Sequence, residues 1–110
     1  MTLSALAFTL RGVARSGEWT TDRAVAPVAG IDPSHPDVTG ELSAVLAAID
    51  QAEDAAGRPL LSAVVVAGPT GLPGAGFFAY ARRCGLHAGS DDQSLWQREL
   101  QRVHDYWSRN

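Results

Sequence analysis

At 110 residues, with 45% hydrophobic and 19% charged side chains, the chain has the size and composition of one globular domain spanning 1–110, and not those of a disordered segment. Its net charge of −3 argues against a non-specific binder of nucleic acid, which carries a basic excess to neutralise phosphates. The single Cys84 excludes an intramolecular disulfide framework and fits a reducing compartment. With no leader-like start and no run near the ~18 apolar residues of a membrane span, a cytoplasmic protein is expected. All nine basic residues are Arg, which a GC-rich coding sequence explains more simply than a set of phosphate clamps.

Leu3, Leu6, Leu10 and Val13, flanked by Ala7 and Ala14, predict an amphipathic helix over 2–16 that stops at Gly17. Phe8 lies off that stripe, so it meets a second neighbour or solvent. Residues 19–21 are β-compatible, and Thr21 can cap a helix starting at Asp22. Pro27 shortens that helix and Gly30 ends it, leaving 31–36 as a turn-rich connector. From Asp37 as cap, Val38, Leu42, Val45, Leu46, Ile49, Ala52 and Ala56 form one face of a long helix closed by Gly57 and Pro59.

The Val-rich run 60–67, bounded by Pro59 and Gly68, reads as a buried strand. A glycine-rich loop over 68–76 and a short helix over 77–83, stopped at Gly85, come next. Ser90 and Gln93 have capping-box spacing for a last helix presenting Trp96, Leu100, Val103 and Trp107 on one face. On its wet side, Glu99 with Arg102 and Asp105 with Arg109 would form pairs contributing about 0.2–0.5 kcal/mol each. The expected class is a helix-rich α+β single domain with one buried strand and a glycine-rich loop or wing.

Strand, Gly68-x-x-Gly71-x-x-Gly74 and helix imitate a dinucleotide-binding turn. No second strand follows, however, and no Gly-Lys-Ser/Thr is present, so nucleotide binding is disfavoured. Cys84, His87 and His104 do not make a zinc set. No sequence signature supplies Cys84 with a base or an oxyanion donor. The adjacent acids Glu53–Asp54 and Asp91–Asp92 point in different directions on a helix and build no dyad. No cofactor or metal is expected.

Gly57-Arg-Pro-Leu-Leu-Ser-Ala-Val-Val-Val, then Thr70-Gly-Leu-Pro-Gly-Ala-Gly-Phe-Phe and a closing helix from Trp96 to Trp107, resemble a set of small bacterial proteins without an assigned activity. More remotely, the order of elements over 3–76 is similar to the winged-helix domain of alkyltransferase-like DNA-repair proteins, which implies a winged-helix-like fold. The Pro-Cys-His-Arg motif of the alkyltransferases is absent. Its place is taken by Pro59-Leu-Leu-Ser62, Cys84 lies outside it, and Asp22 stands where a Tyr follows the Thr. The would-be recognition helix bears acids and no Arg, which a phosphate backbone would repel.

These readings rank three functions. First is a non-catalytic module binding a protein partner through Glu41, Asp50, Glu53 and Asp54 on the wet side of the long helix. Second is nucleic-acid binding by a patch of Arg11, Arg15, Trp19 and Arg23. Third is a small enzyme or anionic-ligand binder using Arg58 with Gly71, Gly74 and Gly76.

Overall fold

A computed structural model of the chain describes residues 2–68 and 70–110; Met1 and Pro69, the latter in the glycine loop, lie outside the described residues. Helix α1 (Thr2–Arg15) buries Leu6, Leu10 and Ala14 and stops at Gly17, whose φ of 76° is a left-handed conformation that glycine adopts without a Cβ penalty. β1 (Thr20–Thr21) leads into α2 (Asp22–Val25), where Thr21 Oγ1 accepts the Ala24 N–H at 3.2 Å as expected. Pro27 then converts the chain into a 3-10 turn, Ala26–Ala29. α3 (Val38–Ala55) buries Val38, Leu42 and Ile49. α4 (Ala75–Arg83) and α5 (Asp92–Ser108) complete a body measuring 34 × 28 × 23 Å.

The predicted strand over 60–67 is mostly something else. Leu61–Val64 is a 3-10 turn, and only β2 (Val65–Val66) is extended, pairing parallel to β1 with Thr20 opposite Val65 and Thr21 opposite Val66. A short apolar run buried on every side has no periodicity to separate the two conformations. Beyond it, the glycine loop is closed by one antiparallel bridge between Ala67 and Leu72.

The 3-10 turn sits at the centre of the molecule, with α1, α3 and α5 packed around it. Buried irregular backbone lacks ladder partners, and an orphaned N–H or C=O there costs about 1–3 kcal/mol. Side chains from the surrounding helices supply the partners. Asp50 Oδ1 on α3 accepts the Ser62 N–H at 3.0 Å, and Glu99 Oε2 on α5 accepts the Leu60 N–H at 2.8 Å. The Trp96 indole N–H donates to the Ala63 carbonyl at 2.8 Å. Core acids therefore hold an irregular segment in place.

This changes three sequence expectations for α5. Glu99 is fully buried, so its pair with Arg102 (2.9 Å) is half-interior and is shared with His87 Nε2 at 2.8 Å. Asp91, not Ser90, is the cap, accepting the Ser94 N–H at 2.8 Å, and that bond holds its carboxyl below the usual carboxylate range. Asp105 accepts from Gln101 Nε2 at 2.9 Å instead of pairing with Arg109.

Candidate functional site

The acidic docking surface read from the sequence dissolves in three dimensions. Asp50 and Glu53 are 2% and 1% exposed, because α3 turns that face to the core and not to solvent. Glu53 Oε1 accepts from Arg11 Nη2 at 2.8 Å and its Oε2 from Arg58 Nε, so two guanidiniums neutralise it. Glu99 has Arg102 and His87. Among the described residues Asp50 has the Ser62 N–H and hydroxyl, the latter at 2.5 Å, and no cation. Burial therefore pushes its carboxyl up to about 7, against the Ser62 hydrogen bonds and with the help of Glu99 and Glu53 nearby. Glu41 and Asp54 remain exposed, but thirteen residues of α3 put them about 20 Å apart, and Asp54 is engaged by the Tyr80 hydroxyl at 3.3 Å.

The arginines expected to form one patch are divided as well. Arg11 and Arg15 stack on Trp107, their guanidinium carbons 5.3 and 5.2 Å from the ring centroid. Trp19, 54% exposed, stands edge-on to Trp96 at 6.4 Å. Trp96 and Trp107 lie eleven residues apart on α5, about 16 Å. Arg23 turns elsewhere, donating to the Pro33 carbonyl.

Nor do the glycine-loop residues meet Arg58. Gly76 faces Ser43, where an added Cβ would come within 2.5 Å of Oγ, and Gly74 faces Thr39. Both let α4 approach α3 closely, which is a packing role. Gly71, with a φ of 69°, makes the turn of the Ala67–Leu72 bridge. Arg58 is held by Glu53, ten residues and about 15 Å along α3 from Ser43. The narrow cleft at this junction has about 30 Å³ of water-accessible volume, room for two or so waters. Two acids line it, Asp22, which accepts from the Thr39 hydroxyl, and Asp50, which accepts from Ser62. Among the described residues no three His, Cys, Asp or Glu side chains gather as a metal site.

A wider recess lies between α1 and α3. Leu3, Ser4 and Ala7 line one wall and Ala48, Ile49 and Ala52 the other of a shallow groove of about 140 Å³, open to solvent and also bordered by the Arg11–Glu53 pair. Phe8, 74% exposed, follows Ala7 and stands four residues from Ser4, so it projects beside the recess; Leu3 is 41% exposed. No charged residue occurs among the first ten residues or over 42–49. Those two uncharged tracts are the sequence signal for this face, and their meeting depends on tertiary packing.

No family model, no curated protein and no solved structure matches the chain. Among the described residues no helix is long and apolar enough to cross a membrane.

Proposed function

We propose that the protein is a non-catalytic interaction module that binds a protein partner through the α1/α3 face. The observation that carries this reading is Phe8, 74% exposed and one helical turn from Ser4, which lines a recess whose other walls are mostly aliphatic. Leaving a phenyl ring wet forgoes burial of roughly 1.5–3 kcal/mol, a cost that a docking site recovers on binding. Aromatic anchors of this kind dominate the energetics of protein contacts. The mode is an apolar side chain or an amphipathic helix laid against the groove. Affinity capture with Phe8→Asp tests it: the variant is expected to lose the partner, while Glu41→Lys and Asp54→Lys keep it. Loss with the two acid variants and retention with Phe8→Asp would return the site to the acidic positions.

The arginine corner supports a second reading. Arg11, Arg15 and Arg58 converge near Trp107 and Tyr106 against the single buried carboxylate of Glu53, a local excess of positive charge in an acidic protein. In this reading the likeness to winged-helix domains applies, with the Ala67–Leu72 turn as wing, and the corner meets a phosphate backbone. Binding to a DNA duplex that weakens steeply with salt would favour it; salt-independent binding would exclude phosphate contact.

A further inference from the structure

Of the four acids buried among the described residues, two have basic partners and two do not. Glu53 is held by Arg11 and Arg58, and Glu99 by Arg102 and His87. Asp22 and Asp50, 4% and 2% exposed, meet no basic side chain among the described residues. Asp22 accepts from the Arg23 N–H and the Thr39 hydroxyl, and Asp50 from the N–H and hydroxyl of Ser62. A carboxylate offers about four lone-pair sites, so each keeps acceptor capacity beyond those two bonds. Both uncompensated acids line one cleft, where α3 faces the central 3-10 turn and the start of α4. The half-buried Ser43 also lines it, and its hydroxyl has no hydrogen-bond partner among the described residues.

We propose that this cleft binds a small primary amine, whose ammonium group supplies the counter-charge for Asp22 and Asp50. A buried carboxylate without a cation is costly, and an ion delivered by a ligand offsets that cost. Two carboxylates and an unengaged hydroxyl suit an ammonium ion, which carries three donors and no acceptor. Leu42, Leu46, Val66 and Phe77 make the rest of the lining apolar. Such walls fit a hydrocarbon tail and serve a calcium ion poorly, since that ion takes about 6–8 oxygens. Size agrees: a volume of about 30 Å³ admits a head group as large as one or two waters, so the tail is short. Leu46 and Ala47, both partly exposed, mark the side on which the tail meets solvent.

Charge linkage gives the site a signature. An ammonium ion favours the ionised form of Asp50, whereas burial holds that carboxyl up at about 7 in the free protein. The other charged groups bearing on Asp50 are Glu53 along α3, Glu99 from α5 and Asp22 in the cleft, all of its own sign. With a pKa of about 7, its ionised fraction rises from about a tenth at pH ~6 to about nine-tenths at pH ~8. Amine affinity should therefore rise about tenfold over that range.

Titration of the ¹⁵N-labelled full chain with n-propylammonium chloride, against n-propanol and sodium chloride at matched concentrations, tests the proposal. The expected result is saturable amide shifts at Thr39, Ser43, Ala47 and Gly76 with the ammonium salt alone, about tenfold tighter at pH ~8 than at pH ~6. Asp50→Asn removes the charge and keeps the oxygen that accepts the Ser62 N–H; it should weaken binding about tenfold or more and abolish the pH dependence. Asp22→Asn, which keeps an acceptor for Thr39, should weaken it as much, both variants retaining the wild-type far-ultraviolet spectrum. Shifts that sodium chloride reproduces are a salt effect, and shifts that n-propanol reproduces mark an apolar crevice; either overturns the proposal. Affinity retained in either variant overturns it too, as does a wild-type chain showing no saturation below about 100 mM.

Discussion

Replacing Asp50 with Asn should stabilise the protein at alkaline pH and scarcely at all in acid. The side chain is 2% exposed, carries both Ser62 hydrogen bonds and has no cation beside it among the described residues. Burial raises its pKa from 3.8 to about 7, so between those values the folded chain keeps a proton that the unfolded chain has released. Stability from this group consequently falls as pH rises from about 4 to about 7 and levels off above. The full difference between 3.8 and about 7 corresponds to about 4 kcal/mol.

Asn keeps an oxygen for the Ser62 N–H and can donate to the Ser62 hydroxyl, yet it gives up the short 2.5 Å bond. A net gain of about 1–3 kcal/mol at pH ~8, shrinking to near zero at pH ~4, is the expected difference. Urea unfolding followed by tryptophan fluorescence across that range measures it. An Asn variant destabilised equally at every pH, or most at high pH, would show that Asp50 is ionised and welcomed in the fold.

Glu53→Gln leaves Arg11 and Arg58 facing a neutral acceptor inside the core and should cost about 2–4 kcal/mol by chemical denaturation, with little relief from added salt. Gly76→Ala should be near neutral, because a helix-propensity gain of about 1 kcal/mol is offset by contact with Ser43 Oγ; in a Ser43→Ala background that gain should emerge. Trp96→Phe removes the donor to the buried Ala63 carbonyl and should cost about 2 kcal/mol or more, visible as a lower denaturation midpoint.

The helices were legible because each declares itself locally. Leu6 and Leu10 recur at helical spacing, Thr21 caps, Pro27 interrupts, and Gly17, Gly30 and Gly57 stop, all at φ of 76°. The segment 60–67 was not legible, since Val and Leu in a fully buried run carry no phase. The burial of Asp50, Glu53 and Glu99 was hidden for a related reason. A polar residue within a helical pattern reads as its wet side unless the partners that bury it are known, and beside the near ones, Arg58 and Arg102, these include Ser62, Arg11 and Leu60, which lie 12, 42 and 39 residues away. The docking face was half visible: Phe8 stood off the stripe of α1, while the recess beside it needed α3 brought into place.

The claim on which the functional account rests is that the space between α1 and α3 receives an aromatic ring. Titrating the ¹⁵N-labelled protein with a benzene-sized probe such as benzyl alcohol tests it without knowledge of any partner. Saturable amide shifts at Ser4, Ala7, Ala48 and Ala52, lost when Ala48 is replaced by Trp, are the predicted result. Shifts confined to the cleft around Val66 and Phe77, or none at saturating probe, would contradict it.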